Sequence, residues 1–389
     1  MMNYDIYEDE GPMPVAIVGM SCRLPGGVSN PGELYRMLCR KRSAWSPVPE
    51  DRFTAGAFVH PKPEIRGCFN SLGGYFLTDD INEFDAAFFD ITKKEADSMD
   101  PAQRILLECA YEAVENAGIP KENLSGSRTG VFVGANYSEH RAANLRDIDN
   151  VPSFDATGNQ GAFMSGRISY IFNLKGPSMT IDTACSSSLH ALHLAVQSIR
   201  AGESDQAIVG ASEIITHPDI WVSMSKLRLF IREGRTFAFD HRATSGFARG
   251  EGAACVILKP LWAALEDNDH IFAVIKHTGV NHNGRTVGIV APSTEDQQAL
   301  LDQVLKEAGI QPDEVGFFEA HGTGTKKGDP IEAEAIHRSI AHWRDPVDPL
   351  YIGSVKSNIG HLEGASGLAS VIKVTLMLFY GFILPNADF

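Results

Sequence analysis

The sequence changes from a strand pattern to a helical pattern within one short stretch, Ser178-Met-Thr-Ile-Asp-Thr-Ala-Cys-Ser-Ser-Ser-Leu-His190. Residues 178–182 predict a buried strand, and a turn of small residues follows it. The helix predicted after this turn carries its apolar residues on one side and ends at Gly202. Cys185 therefore lies where a strand becomes a helix, a position that can expose a side chain at the end of a sheet.

A similar arrangement recurs near the end of the chain, between Tyr351 and Gly381. A predicted strand again leads into a turn of small residues and then into a helix, with His361 in the place that Cys185 takes in the first stretch. The identity between the two stretches is weak, but the order of their features is the same. We interpret this as an internal duplication, and we expect an α/β fold built from two related halves.

Further strands are predicted at residues 129–133, 271–275, 315–319 and 350–353, and buried strands at residues 15–19, 207–210 and 253–258. A strong helix is predicted from Asp100-Pro101 to Gly118, since Asp caps a helix, Pro fits its first turn and Gly ends it. Ser293 is predicted to cap a further helix. Residues 21–95 are predicted to be rich in loops.

The pattern divides the chain into an acidic leader, residues 1–13, and two halves, residues 14–260 and 261–389. The length of 389 residues suits two packed α/β units better than one small core. No linker or low-complexity tract is found near residue 260, so we expect the halves to form one compact unit.

Composition and charge exclude several classes of protein. The net charge of −15 argues against a nucleic-acid partner, which would require clustered Lys and Arg. No run of about 18 apolar residues predicts a membrane span, and residues 1–11 lack the basic and apolar parts of a signal peptide. The six cysteines form no C-x-x-C pair, so we expect reduced thiols in a cytoplasmic protein, without zinc or disulfides.

Cys185 is the candidate nucleophile. At the start of a helix, backbone N–H groups and the positive end of the helix dipole lie beside the side chain and favour a thiolate. Most free cysteines are small core residues, and we keep that interpretation for Cys109 and Cys255. The small neighbours and the strand-to-helix position favour a reactive role for Cys185.

Two histidines each follow a predicted strand in a glycine-rich turn. His321 lies in Glu319-Ala-His-Gly-Thr-Gly-Thr325, and His361 lies in Val355-Lys-Ser-Asn-Ile-Gly-His-Leu-Glu-Gly-Ala-Ser-Gly367. Each histidine alone would fit a structural role, but together they predict a site. Two neutral imidazoles that donate hydrogen bonds can stabilise an enolate, and Lys356 is placed to influence their protonation.

Other kinds of site fit the sequence less well. A phosphate-binding loop requires the pattern G-x-G-x-x-G or G-x-x-x-x-G-K-[ST], and the turn of His321 completes neither. A metal site would need H-E-x-x-H or a tight Cys/His cluster, so no metal is predicted. A serine hydrolase needs G-x-S-x-G, which Gly364-Ala-Ser-Gly367 misses by one residue, and no pair of carboxylates stands out for a glycosidase. A cysteine–histidine hydrolase stays chemically open, although it would need one histidine rather than two and a lysine.

Three motifs resemble the active-site signatures of β-ketoacyl synthases. They are Asp182-Thr-Ala-Cys-Ser-Ser-Ser-Leu189, residues 319–325 with Gly328-Asp-Pro-Ile-Glu-Ala333, and Lys356-Ser-Asn-Ile-Gly-His-Leu-Glu-Gly-Ala-Ser-Gly367. Residues 15–26, 99–104, 239–243 and 248–252 agree with the same family. The resemblance runs from about residue 14 to the end. It is closest to type I polyketide synthases, and residues 242–250 are similar to fungal iterative reducing enzymes.

The resemblance implies a thiolase-like fold, with two duplicated halves in a five-layer αβαβα arrangement. It also implies decarboxylative Claisen condensation of a Cys-bound acyl chain with a malonyl-carrier thioester. Cys185 would be the nucleophile, and His321 and His361 would act in decarboxylation. No cofactor would be bound, because an acyl carrier domain brings the substrates on its phosphopantetheine. A homodimer and contacts with other polyketide synthase domains are implied as well.

The resemblance also assigns supporting roles and shows one departure. Lys356 would support the histidines, and Thr323 and Thr325 would contact the phosphopantetheine arm. Members of the family continue beyond Leu384-Pro-Asn-Ala-Asp-Phe389 into further strands with a Gly-Phe-Gly-Gly-type turn. We therefore expect a truncated C-terminal half with an exposed sheet edge and an open pocket. Two alternatives stay open: a non-catalytic relic or dimerisation module, and a transferase that loads an acyl group without condensing it.

Overall fold

The computed structural model describes residues 11–62, 64–244 and 246–387. Within these residues the strands are β1 Val15–Arg23, β2 Trp45–Ser46, β3 Gly74–Tyr75, β4 Thr129–Gly134, β5 Ser178–Ile181, β6 Gln206–Glu213, β7 Gly252–Pro260, β8 Ala273–Ile275, β9 Phe317–Glu319 and β10 Tyr351–Gly353. The helices are α1 Pro31–Cys39, α2 Lys93–Ala96, α3 Pro101–Asn116, α4 Lys121–Leu124, α5 Glu139–Asn144, α6 Asp155–Asn159, α7 Ala162–Ile171, α8 Ser187–Arg200, α9 Asp219–Lys226, α10 Leu261–Glu266, α11 Thr294–Ala308, α12 Gly328–Ser339, α13 Lys356–Ile359 and α14 Ser366–Tyr380. Across those described ranges, no helix is both long enough and apolar enough to cross a bilayer.

A six-stranded mixed sheet forms the centre of the molecule, in the order β5-β4-β6-β7-β1-β8. Strand β4 runs parallel to β5 and β6, whereas β7 runs antiparallel to β6 and β1. Helix α3 packs against β1, β6 and β7, and α8 packs against β4 and β6. Neighbouring residues of β6 belong to different core clusters, Ile208 with α3 and Val209 with α8. The sheet therefore carries helices on both faces, which explains its nearly continuous apolar strands.

Apart from the short antiparallel pair β2 and β3, the second sheet of the described residues is much smaller and contains only the parallel pair β9 and β10. Helix α14 packs against α8, and its Lys373 side chain reaches Glu319 of β9 at 2.6 Å. Together α8 and α14 form the layer between the two sheets. The small sheet leaves apolar surface open: Tyr351 of β10 is 56% exposed, and helix α11 has no buried residue.

The predicted elements all form, and most bounds differ by one or two residues. The strand predicted to be buried at residues 178–182 is partly exposed, because β5 lies at the edge of the six-stranded sheet. Asp100 accepts a hydrogen bond from Ala102 N–H at the start of α3, and Ser293 accepts one from Asp296 N–H at the start of α11. The structure adds helices that the pattern did not predict, including α1 within the loop-rich segment and α12. The predicted division at residue 260 stays a prediction, and residues 1–10 of the leader lie outside the described residues.

The turn that precedes His361 depends on a glycine. Gly360 follows α13 with a φ of +75°, in the left-handed region that favours glycine. The buried ring of Tyr75 lies directly against this residue, so that a Cβ atom at position 360 would overlap it. Two independent constraints, the backbone angle and the adjacent ring, therefore select glycine here.

Replacement of Gly360 by alanine should destabilise the protein by about 2–4 kcal/mol, because it adds overpacking to left-handed strain. Gly381→Ala is the matched control, since Gly381 has a φ of +63° but open space around its Cβ position. The control should cost about 1–2 kcal/mol from strain alone. Urea unfolding of both variants measures the difference, and equal losses of stability would show that the Tyr75 ring yields freely.

Candidate active site

Cys185 lies in a tight turn between β5 and α8. Ala184, the residue before it, has a φ of 55°, in a region that residues other than glycine rarely adopt. Two hydrogen bonds hold this turn: the Asp182 carboxylate accepts from Ala184 N–H at 3.0 Å, and the Ser187 hydroxyl donates to Ala184 C=O at 2.6 Å. The turn places Cys185, half-buried, just before the first residue of α8.

The environment of Cys185 favours the neutral thiol. Burial is the largest influence and raises the pKa of Cys185 above its usual value, and Glu363 acts in the same direction. The Lys356 ammonium and the N–H of Cys185 itself lower this pKa. The helix start was expected to favour a thiolate, but the net direction is the opposite because burial outweighs both favourable contributions. Attack by Cys185 therefore requires that the thiol first lose its proton.

His361 is held from both sides by hydrogen bonds. The backbone N–H of His361 donates to Ala248 C=O at 2.9 Å, and its backbone C=O accepts from Gly250 N–H at 2.8 Å. The side chain is 2% exposed. Its Nδ1 accepts the N–H of Glu363 at 3.1 Å and lies 2.7 Å from the Ser366 hydroxyl. Because Nδ1 accepts an N–H bond, the neutral ring carries its proton on Nε2.

His321 lies just beyond β9 and faces His361. The N–H groups of His321 and Gly322 donate to the Glu332 carboxylate of α12, at 2.6 and 2.8 Å. The two imidazole rings meet edge to face, with 5.3 Å between their centroids. The glycine-rich turn predicted around His321 therefore brings one histidine against the other.

Both imidazoles are held in the neutral form. Burial lowers the pKa of His361 well below its usual value, and His321, Lys356 and Arg249 act in the same direction. The surrounding protein also lowers the pKa of His321, with a further contribution from Lys356, although the His321 side chain keeps contact with solvent. Neutral imidazoles at physiological pH can donate hydrogen bonds without carrying charge.

The structure brings together the three residues that the sequence proposed. The Cys185 thiol and one ring nitrogen from each of His321 and His361 lie within 4.8 Å of one another. This separation is close enough to suggest a metal site. However, a metal needs a nitrogen lone pair, and the Nε2 of neutral His361 carries a proton. The expectation that this site takes no metal stays a prediction.

Lys356 occupies the position that the sequence suggested, beside both histidines. Its side chain is 3% exposed, at the start of α13. Burial lowers the pKa of Lys356, whereas Glu319, Glu332 and Cys185 raise it. Its charge affects the pKa values of Cys185 and both histidines, so a single ammonium influences all three groups of the candidate site.

Sequence reasoning missed the buried charge cluster around Arg249. This guanidinium contacts Glu363 at 2.6 Å, Glu139 at 2.7 Å and Glu213 at 3.5 Å. Burial and the nearby Glu363 carboxylate raise the pKa of Glu213 well above its usual value, whereas the Arg249 guanidinium lowers it. The partners are far apart in sequence, and no local pattern could have indicated that they meet beside His361.

The two threonines near His321 occupy different surroundings. Thr323 is 7% exposed and therefore largely covered. Thr325 lines an open cavity of about 550 Å³ together with Phe239 and His241. The Asp329 carboxylate fixes this loop, because it accepts the N–H of Thr325 at 3.1 Å. Thr325 therefore borders a cavity that could receive a substrate arm.

This fold is that of the thiolase-like ketosynthases. The ketosynthase from module 6 of the bacillaene synthase of Bacillus subtilis 168 is similar with a TM-score of 0.88 and 38% identity, covering 97% of this chain and 63% of that chain. The oxazolomycin ketosynthase domain OzmH KS7 of Streptomyces albus JA3453 gives a TM-score of 0.89 and 36% identity, covering 96% of this chain and 66% of that one.

The family model of the β-ketoacyl synthase N-terminal domain matches residues 13–264, and that of the C-terminal domain matches residues 272–389. The chain therefore belongs to the β-ketoacyl synthase family. It is 54% identical to highly-reducing polyketide synthase 1 of Aureobasidium melanogenum, over 97% of this chain and 17% of that protein. It is 46% identical to the lovastatin diketide synthase of Monascus pilosus, over 97% of this chain and 15% of that protein. The chain thus spans less than a fifth of each of these relatives.

The electrostatics of the site predict how Cys185 reacts with iodoacetamide. Its raised pKa should make alkylation slow at pH 7 and faster as the pH rises, because only the thiolate reacts. Lys356→Met removes a charge that lowers this pKa, so alkylation at pH 8 should slow about threefold to tenfold. Lys326→Met, on the loop after His321, is the control. Mass spectrometry of the Cys185 peptide gives the rates, and identical rates in all three proteins would contradict the assigned influence of Lys356.

Proposed function

We propose that this chain catalyses decarboxylative condensation between an acyl group held on Cys185 and a malonyl thioester. One observation carries the proposal: the Cys185 thiol and the ring nitrogens of His321 and His361 lie within 4.8 Å of one another. Membership of the β-ketoacyl synthase family supports the same reaction.

In the first step, the sulfur of Cys185 attacks the carbonyl carbon of an acyl thioester. A new C–S bond forms, the original C–S bond breaks, and the departing carrier thiol takes up the proton that Cys185 loses. Lys356 favours the thiolate during this step, because its charge lowers the pKa of Cys185. Backbone N–H groups at the turn, including that of Cys185, are placed to stabilise the oxyanion that forms on the carbonyl.

In the second step, a malonyl thioester enters and loses carbon dioxide. The C–C bond to the carboxylate breaks, and its electron pair moves into an enolate whose oxygen becomes negative. The Nε2–H of His361 can donate to that oxygen, and His321 supplies the second donor. The surrounding protein and the charge of Lys356 lower the pKa of each ring, so both donate as neutral groups. The enolate carbon then attacks the acyl carbonyl on Cys185, and the sulfur leaves as a thiolate.

The assembled site favours this reaction over the two alternatives from the sequence. A non-catalytic relic would have no need to keep three reactive groups from separate segments close together. It would also have no need for the buried charges of Arg249 and Lys356 next to them. A transferase that only loads an acyl group would need Cys185 and an oxyanion site. It would have no use for a second neutral histidine facing the sulfur.

We propose that the malonyl and acyl groups arrive on the phosphopantetheine of an acyl carrier domain. The cavity lined by Thr325 has a volume of about 550 Å³, which suits an extended arm. Lys326, also on the lining of this cavity, offers a positive charge for the phosphate of that arm. Thr323 is the neighbouring candidate contact. The other domains of a polyketide synthase are the expected partners.

We also propose that two copies of this chain associate through β5. This strand lies at one end of the six-stranded sheet and pairs only with β4 among the described strands. Its first residues, Ser178 and Met179, are exposed. An open strand edge readily pairs with a second strand, and the turn that carries Cys185 follows β5 directly.

Histidine variants can separate acyl loading from condensation. In His361→Ala, which removes the donor, acylation of Cys185 by a short acyl thioester should persist, because no step of loading requires the Nε2–H donor. Release of carbon dioxide from malonyl thioester should fall about 10²–10³-fold, as expected for the loss of one donor to a developing oxyanion. Intact mass measures loading, and trapped ¹⁴C-labelled carbon dioxide measures decarboxylation.

Cys185→Ala provides the control for loading and should show no acyl adduct. An adduct on wild type without carbon dioxide release or extended product would favour the acyl-loading alternative. A folded wild-type protein that forms no adduct would favour the relic. Loss of loading and decarboxylation to the same extent in His361→Ala would contradict the division of roles proposed here.

A further inference from the structure

Ser366 makes a close contact with His361 that no step of the proposed reaction has used. Its Oγ lies 2.7 Å from Nδ1 of His361, which is shorter than the 3.1 Å from the Glu363 nitrogen to the same atom. Ser366 is the first residue of α14 and is 3% exposed. The hydroxyl therefore contacts the ring inside the protein, where water competes little for the bond.

The direction of this hydrogen bond follows from the Glu363 contact. The backbone N–H of Glu363 can only donate, so Nδ1 of His361 must accept and carries no proton. A hydroxyl can donate or accept, but opposite an unprotonated nitrogen it must donate. Ser366 thus supplies a second donor to the same ring nitrogen.

The Glu363 donor is part of the backbone and is held in place independently. Glu363 has a φ of 45°, in the left-handed region, and its carboxylate is bound by the buried guanidinium of Arg249. This backbone amide is present whatever side chain occupies the position. The Ser366 hydroxyl, in contrast, is a side-chain group that a single substitution can remove.

We propose that Ser366 is a positioning residue that keeps His361 in the Nε2–H form and strengthens Nε2–H as a donor. This inference rests on the proposed role of His361 in decarboxylation. Donation to one nitrogen of an imidazole polarises the ring, so that the proton on the other nitrogen becomes a better donor. The bond also resists rotation of the ring about Cβ–Cγ, which would put Cδ2 in the place of Nδ1 and Cε1 in the place of Nε2.

The first test reads the imidazole directly and needs no enzymatic activity. The 389-residue protein is labelled with ¹⁵N-histidine, and the signals of His361 are assigned by their loss in His361→Gln. The wild-type spectrum should show a neutral ring protonated at Nε2, with Nδ1 shifted by hydrogen bonding. In Ser366→Ala the Nδ1 signal should move toward that of a less strongly bonded nitrogen, while the ring remains neutral.

The second test measures the two half-reactions of Ser366→Ala. Acylation of Cys185 should be unchanged, because Ser366 acts only through His361. The kcat for decarboxylation of the N-acetylcysteamine thioester of malonate should fall about threefold to tenfold, the size expected for one neutral hydrogen bond. The KM for this thioester should change less than twofold, since Ser366 is only 3% exposed and is therefore shielded from the substrate. Ser366→Thr retains the hydroxyl and should restore both kcat and the Nδ1 signal.

Ser357→Ala is the matched control, because Ser357 is also a buried serine of this segment and bonds only local groups. It should leave the Nδ1 signal and the kcat for decarboxylation as in wild type. An unchanged Nδ1 signal in Ser366→Ala would overturn the proposal. So would an equal loss of kcat in the alanine and threonine variants at unchanged melting temperature. If wild type itself releases no carbon dioxide, the proposed function fails, and the spectrum still decides the role of Ser366.

Discussion

The buried guanidinium of Arg249 forms ion pairs with carboxylates from segments that are far apart in the sequence, and these ion pairs hold the segments together. It binds Glu139 from α5 and Glu363 from the segment beyond His361, and it lies near Glu213 at the end of β6. Removal of one partner from such a buried cluster typically costs about 3–5 kcal/mol, since the remaining charges are left unpaired. The position of Glu363, and through its N–H the orientation of His361, therefore depends on a residue of the other half of the chain.

Burial has opposite effects on the two kinds of reactive group in this site. It lowers the pKa of His361 and so keeps this donor uncharged, but it raises the pKa of Cys185 and so makes the nucleophile harder to form. Lys356 partly resolves this conflict. Its positive charge opposes protonation of the histidines and favours the thiolate, so one cation helps both requirements at once.

The sequence predicted the features that are encoded locally. The strand, turn and helix around Cys185 follow from apolar periodicity and small residues, and the glycine-rich turns of His321 and His361 could be read in the same way. Contacts between distant segments could not be predicted. Nothing near Arg249 indicates Glu139 or Glu213, which lie 110 and 36 residues away along the chain. The direction in which the pKa of Cys185 is shifted could not be predicted either, because it depends on how much protein surrounds the sulfur.

The fixed tautomer of His361 has a consequence for the molecules that this cleft can hold. A ring that presents only N–H toward Cys185 selects ligands by their acceptor atoms, and an amine or hydroxyl hydrogen pointed at Nε2 would be repelled. Covalent inhibitors aimed at Cys185 should therefore bear a carbonyl or another oxygen acceptor next to the electrophilic carbon. Electrophiles of equal reactivity without that oxygen would lack this hydrogen bond, which could provide selectivity for Cys185 over the protein's other cysteines.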